Sequence, residues 1–310
     1  MKVIYSYEIT CLKIILHIEY MKKLPFHIRR QLKKNYKSRL IENPYNWAPP
    51  IKILNIESKF KNINETQHQF KYKDSRFYYH KKNDSKYLLI LFHGSVGNNS
   101  LPVYRGAYYN IKEVDILSIS DNLVNKFSNK RLDLSWYLST NNMDNETMYI
   151  DIIDNVIKSK SYKKVLFAGT SGGGYPALKF SSYFNKYAII GNSQIYLDKH
   201  IYWNELIKKI KYHGSLINYD NINDIIKKNG PPKKIYLFQN KLDTHHYDKH
   251  FLPFKDFMKK NYSDNLVDIV FYGCKLAKNQ HKYFMPVNFI NFVLDVFNER
   301  DDCSSYIAQH

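Results

Sequence analysis

Cysteine is scarce in this chain: 310 residues hold three, Cys11, Cys274 and Cys303, far apart. So sparse and odd a count argues against a disulfide framework, fits a reducing compartment, and leaves no metal site of the usual cysteine spacing. Long apolar runs are missing too. Val3 to Tyr20 is apolar-rich, but Glu8, Lys13, His17 and Glu19 interrupt it. It is too charged to span hydrocarbon and lacks a secretory cleavage region. An amphipathic surface helix or a strand suits it, and Met21-Lys22-Lys23 offers an alternative start. No internal repeat, long low-complexity segment, zinc-finger spacing or RNP-type signature occurs, so a nucleic-acid module is not expected. Acidic residues are the minority, 28 against 47 basic, for a formal charge of +19. Two readings of that excess stay open. One is an anionic partner, either an acidic glycan or a membrane surface. The other is a Lys-, Asn-, Ile- and Tyr-rich composition set by genome base bias.

What is present suffices for one large α/β domain with an extension, given 44% hydrophobic residues. The most informative stretch runs from Val165 to Leu178. Val165 to Ala168 is a short apolar run that reads as a buried strand. Gly169-Thr170-Ser171-Gly172-Gly173-Gly174 follows, and Ala177 to Phe184 reads as a helix. Strand, Gly-x-Ser-x-Gly and helix together describe a sharp turn that exposes a serine hydroxyl to a base. A phosphate-binding loop would need Lys then Ser/Thr after the last glycine, where Tyr175-Pro176 stand. A dinucleotide fingerprint needs another glycine spacing.

The rest of the chain is punctuated in the same style. Residues 1–48 form a basic, aromatic-rich lead, and Pro49-Pro50 marks a break into the folded core. Ile51–Ile56, Gln67–Tyr72 and Arg76–His80 read as strands that begin a sheet in antiparallel fashion. Tyr87–Phe92 is the continuous run of a strand covered on both faces, and Val114–Ile119 is a less uniform one. Met148, Ile152, Ile153, Val156 and Ile157 make a helical stripe. Tyr187–Ile190, Lys234–Phe238 and Leu266–Tyr272 are further strands, with helices around Phe257–Lys260 and Phe284–Phe297. Strand-then-helix alternation predicts a mostly parallel central sheet in a three-layer α/β sandwich. Residues 194–230 sit where a helical cap would cover a site. The expected domain is thus 49–298, with 299–310 as a tail.

Open α/β sheets place ligands beyond the carboxyl ends of their strands, so candidate residues are sought there. Ser171 is the nucleophile. Asp243 follows Lys234–Phe238, and His281 follows Leu266–Tyr272. Ser, Asp, His is the chain order expected of this chemistry, in which a base takes the serine proton and a carboxylate orients the base. His245, His246 and His250 are rival bases and Asp248 a rival acid, all in one loop with Asp243. His93-Gly94-Ser95-Val96 follows Tyr87–Phe92, where an oxyanion donor is expected. The N–H of Ser95 or Val96 is expected to act beside that of Gly172, with His93, Gly94 and His246 lining the site. No metal ligand set is read from the sequence.

With these residues in place, the chain resembles the α/β-hydrolase superfamily over roughly residues 50 to 298. More narrowly it is similar to a divergent branch linked with bacterial surface-polysaccharide synthesis, which includes capsule O-acetyltransferases. The matching segments are Ser118-Ile119-Ser120-Asp121-Asn122, Leu134-Ser135-Trp136-Tyr137, Gly169-Thr170-Ser171-Gly172-Gly173 and Gly191-Asn192-Ser193-Gln194. Relatives often carry glycine directly before the histidine, where Gln280 stands here. The resemblance implies covalent acyl-serine chemistry on a sugar hydroxyl, as O-acetyltransferase or esterase. Its expected partners are an anionic glycan or a small acyl ester. Acetyl-CoA would be the candidate donor, and no tightly bound cofactor is expected. A cytoplasmic setting is expected, with peripheral membrane contact open to the basic stretch up to Arg39. The alternative is a non-catalytic accessory or binding protein that keeps the fold.

Overall fold

Six consecutive apolar side chains from Tyr87 to Phe92 cannot all face one core, because a strand turns successive residues to opposite faces. The computed structural model resolves this by covering both sides. It describes residues 54–55, 68–97, 101–107, 109–127, 132–212, 215, 217–272, 280–282 and 289–300. The expected extension 1–48, the Pro49-Pro50 break, the three cysteines and residues 301–310 lie outside these. Leu88, Ile90 and Phe92 enter one apolar cluster, and Leu89 and Leu91 the other.

Nine strands form the main sheet among the described residues, in the order β1-β2-β3-β5-β4-β7-β8-β10-β11. They are β1 (Leu54–Asn55), β2 (His68–Tyr72), β3 (Ser75–His80), β4 (Tyr87–Phe92), β5 (Val114–Ile119), β7 (Lys164–Thr170), β8 (Tyr187–Gly191), β10 (Lys234–Asn240) and β11 (Leu266–Phe271). β3 runs antiparallel to both its neighbours, β2 and β5. From β5 to β11 every pairing is parallel. This is the expected mostly parallel α/β sheet; the antiparallel start expected of the early strands holds for β2 and β3, whereas β1, within Ile51–Ile56, pairs parallel to β2.

One face carries α2 (Asn145–Lys158), α3 (Gly174–Tyr183), α5 (Ile222–Asn229) and α6 (Leu252–Asn261). Their buried stripes, such as Tyr149, Ile152, Ile153 and Val156 of α2, join the larger cluster. The opposite face is closed by α7 (Phe289–Phe297) through Phe292, Val293, Val296 and Phe297. The spacing of those four puts them on one side of a helix. A short α1 (Asn122–Lys126) follows β5, with the Asp121 carboxylate capping the N–H groups of Leu123 and Val124.

Between β8 and α5 lies α4 (Trp203–Tyr212), within the stretch where a cap was expected. A small antiparallel pair, β6 (Ser139–Thr140) and β9 (Ile217–Asn218), ties this stretch to the loop after Trp136. Among the described residues no helix is long and apolar enough to cross a membrane.

Where β7 meets α3 the chain reverses over Ser171–Gly173, and Ser171 takes a φ of 54°. That left-handed conformation costs a non-glycine residue roughly 1–3 kcal/mol, so the surroundings must enforce it. Gly169 does much of that. A side chain there would collide with the carbonyl of Gly173 as the helix folds back over the strand. Gly169→Ala is therefore expected to cost about 3 kcal/mol or more, since backbone cannot yield as a side chain does. Urea unfolding measures this, and wild-type stability in the variant would contradict so tight a turn.

Candidate active site

β7 delivers Ser171 to the carboxyl edge of the sheet, and β10 and β11 deliver the loops holding Asp243 and His281. The three side chains meet. Ser171 Oγ lies 2.8 Å from His281 Nε2, and His281 Nδ1 lies 2.7 Å from Asp243 Oδ2. A carboxylate can only accept, so Nδ1 carries the imidazole proton and Nε2 offers its lone pair to the serine hydroxyl. Asp243 is buried, whereas the His281 side chain is 30% exposed. The rival bases are placed otherwise. His250 Nδ1 accepts the Tyr196 N–H at 3.2 Å, and His246 Nδ1 donates to the second Asp243 oxygen at 2.9 Å. His245 bonds neither Ser171 nor Asp243, and Asp248 is solvent-exposed.

Asp243 thus holds two imidazoles, one on each oxygen. Burial alone would raise its carboxyl pKa. The N–H bonds and charges of His246 and His281 overcome this and hold the group well below the ordinary carboxylate range. The two rings stack with centroids 4.1 Å apart. Burial lowers the His246 pKa against the pull of Asp243, so its ring stays neutral against the base. Behind it, burial and then the neighbouring histidines push His200 down to about 3 and His250 down to about 2.

Asp243, His246 and His281 are also the one set, among the described residues, whose donor atoms lie within 4.8 Å of one another as a cation would require. The atoms that would hold it are those already joined in N–H···O bonds, so the proton-relay geometry accounts for them.

The loop after β4 lies against the serine turn. A Cβ on Gly94 would stand 3.3 Å from Ser171 Cβ and 3.5 Å from the Gly172 nitrogen. Of the expected oxyanion donors, Val96 needs correction. Its N–H is spent on the Asp133 carbonyl at 2.9 Å. His93 is corrected too: its ring is buried instead of facing a substrate. Its Nε2 accepts the Asp121 N–H at 3.0 Å, and its Nδ1 meets Gly94 O at 2.7 Å. His93 therefore braces the loop from behind.

Three polar residues that sequence reasoning gave no role complete the site. Gln194 Nε2 donates to Ser171 Oγ at 3.1 Å, while Trp136 Nε1 donates to Gln194 Oε1 at 2.7 Å. An indole can only donate, so it fixes the amide with its NH2 toward the serine. Asn192 Nδ2 donates to the His281 carbonyl at 3.2 Å, and Asn240 Nδ2 to the Gln280 carbonyl at 2.9 Å. Gln280 Oε1 accepts from Asn240 as well, at 3.2 Å. The residue that stands where relatives carry glycine thus anchors the loop of the base. Two signals were available for Asn192 and Gln194: they directly follow β8, the strand beside β7, and they lie in the matching segment Gly191-Asn192-Ser193-Gln194.

No family model and no curated protein matches the chain. Solved structures do. One of the capsule O-acetyltransferase of Neisseria meningitidis serogroup A, in complex with caged gadolinium, superposes with a TM-score of 0.55 at 18% identity, over 79% of this chain and 99% of that one. A second structure of that enzyme gives 0.52 at 18%, over 70% and 92%. At such identity the likeness establishes the fold, which is the α/β-hydrolase fold that the order of elements predicted.

The neutral histidines carry a pH signature. Unfolded, each titrates near 6.5; folded, His200 and His250 refuse the proton until far lower pH. Between those values the unfolded chain binds more protons, so stability falls as pH drops below about 6.5, by up to about 1.4 kcal/mol per unit for each such group. Urea midpoints at pH 7 and pH 5 measure the slope. His250→Asn, whose amide oxygen can still accept the Tyr196 N–H, is expected to flatten it; an unchanged slope would contradict the burial argument.

Proposed function

We propose that the protein is a serine-dependent acyltransferase that moves an acyl group, acetyl in the simplest case, onto or off a hydroxyl of an anionic glycan. The observation carrying this reading is the unbroken hydrogen-bond chain from Ser171 through His281 to Asp243 at the carboxyl edge of a parallel sheet. The likeness in fold to a capsule O-acetyltransferase supports the reaction class, and the +19 charge supports an anionic acceptor.

The steps follow from the geometry. His281 Nε2 takes the Ser171 proton as Oγ attacks the acyl carbonyl, and Asp243 stabilises the imidazolium. The N–H groups of Gly172, at the start of α3, and of Ser95 hold the oxyanion. Collapse expels the donor's alcohol or thiol, which takes the proton from His281 and leaves an acyl-serine. A sugar hydroxyl, or water, then gives its proton to His281 and attacks that ester; collapse breaks the acyl–Oγ bond, and Ser171 takes the proton back from His281. An acetyl thioester such as acetyl-CoA fits this scheme as donor.

Magnitudes separate the roles. Loss of the base or nucleophile in such a relay lowers turnover by roughly 10⁴-fold or more. Gln194 makes a neutral bond worth about 0.5–1.5 kcal/mol, so Gln194→Ala should lower kcat by only about three- to tenfold with little change in KM. The reading itself is tested with a fluorophosphonate probe and acyl-enzyme mass measurement. Wild type is expected to label, and Ser171→Ala and His281→Ala to lose labelling while staying folded. Folded wild type that never labels would favour a non-catalytic binding protein.

A further inference from the structure

A cavity of about 400 Å³ opens near the β2–β3 end of the sheet, lined among the described residues by Lys71, Asp74, Arg76, Asn125, Lys126 and the apolar edge of Leu101 and Met143. Its size lies in the range of small-molecule sites. It belongs to the same edge of the molecule as Ser171. Arg76 begins β3, its carbonyl accepts the Ser120 N–H at 3.0 Å, and Lys126 ends the short α1 that follows β5. β3 is three strands from β7 in the sheet, so Arg76 stands about 14 Å along the strand ends from the serine strand at the usual spacing.

What marks the cavity is its unspent charge. Some lysines elsewhere are occupied: Lys179 pairs with Glu146, Lys255 with Asp268, and Lys86 with Glu113. Among the described residues, the side chains of Lys71, Arg76 and Lys126 have no such partner. Asp74 is the one carboxylate on the wall and likewise stands unpaired. Three cations against one carboxylate favour an anion. The guanidinium of Arg76 offers the planar fork that grips a phosphate or carboxylate through two bonds. Asp74 adds an acceptor of the kind that binds sugar hydroxyls.

We infer that this cavity is a subsite for an acidic sugar unit of the acceptor. Its phosphate or carboxylate sits on Arg76 between Lys71 and Lys126, and the hydroxyl to be acylated lies further along the glycan at Ser171. The inference rests on the acyl-transfer reading for its biological sense, but its binding chemistry stands apart from the serine.

Calorimetry on the full-length protein tests it with three probes: glucose 1-phosphate, glucuronate and neutral glucose. At least one of the charged sugars is expected to bind at least tenfold more tightly than glucose. Arg76→Gln and Lys126→Gln are each expected to weaken that binding by about tenfold. Both variants should keep wild-type fluorophosphonate labelling and hydrolysis of a small neutral ester within twofold, because neither side chain touches the reacting atoms. Preference for the phosphate or for the carboxylate names the anion, and either upholds the subsite. Equal binding of all three sugars, or binding untouched by both variants, overturns it. Overturned binding with intact labelling would leave the acyl-transfer reading standing. Intact binding with no labelling of wild type would remove that reading and keep the subsite as a sugar-binding pocket.

Discussion

A carboxylate buried between two imidazoles is the constraint around which the site is built. Asp243 is 8% exposed, and an ion at that depth survives only if its oxygens are matched. His281 and His246 supply one N–H each. Removing one partner from such an arrangement typically costs about 3–5 kcal/mol, because the charge is left uncompensated. The pairing also sets chemistry. The carboxylate fixes the proton of His281 on Nδ1, which leaves Nε2 as the basic atom facing Ser171. His246 can share the carboxylate only while neutral, since a charged ring stacked on His281 would oppose any positive charge there. Burial of His246, His200 and His250 enforces that neutrality. The cost is visible in the Nε2 atoms of His245, His246 and His250, which lack partners among the described residues. An unmatched neutral nitrogen costs about 1–3 kcal/mol, far less than an unpaired buried cation.

The same economy of matched buried groups holds the oxyanion loop. Asp121 is fully buried. It accepts from Ser135 Oγ at 2.5 Å and from the Tyr137 N–H at 3.0 Å, while its own N–H goes to His93. Tyr137 in turn receives the His93 N–H and donates to the Ile119 carbonyl. Trp136 and Tyr137 both take positive φ, 51° and 60°, a conformation that non-glycine residues hold only when several bonds dictate it. That strained pair aims the Trp136 indole at Gln194. One buried network therefore places the oxyanion loop on one side of Ser171 and the Gln194 amide on the other.

Much of this was legible in the sequence, for definable reasons. A six-residue apolar run, a glycine-flanked serine and a helix stripe each have a physical period or a steric demand, so β4, the serine turn and α2 emerge from patterning alone. Asp243 and His281 could be proposed because sheet topology limits the search to residues just past strand ends. Gln194, Asn192 and Asn240 stand at equally privileged positions, yet a polar side chain after a strand is ordinarily a turn residue, and only the third dimension shows it reaching a catalytic group. Val96 failed for the opposite reason. A backbone N–H carries no residue identity, so nothing in the sequence reveals that Asp133 already occupies it. The β5 strand looked less uniform because of Asp115 and Ser118. Both are buried, and Asp115 is matched by the Lys82 N–H and the Tyr162 hydroxyl at 2.7 and 2.6 Å.

The distribution of charge suggests why recognition and chemistry would be kept apart. Next to Ser171 the charged group is the Asp243 carboxylate, and the oxyanion donors are neutral N–H groups. An acceptor anion placed there would face Asp243 and would compete with the developing oxyanion for the same donors. Held instead at Arg76, on the third strand from that of Ser171, it would sit about 14 Å off along the strand ends, beyond the Debye length of about 8 Å at physiological salt. At that separation the cations can bind and steer an anionic chain clear of the reacting atoms. A serine relay set apart from a wall of cations is the arrangement that acyl transfer to a neutral hydroxyl of a polyanion would call for.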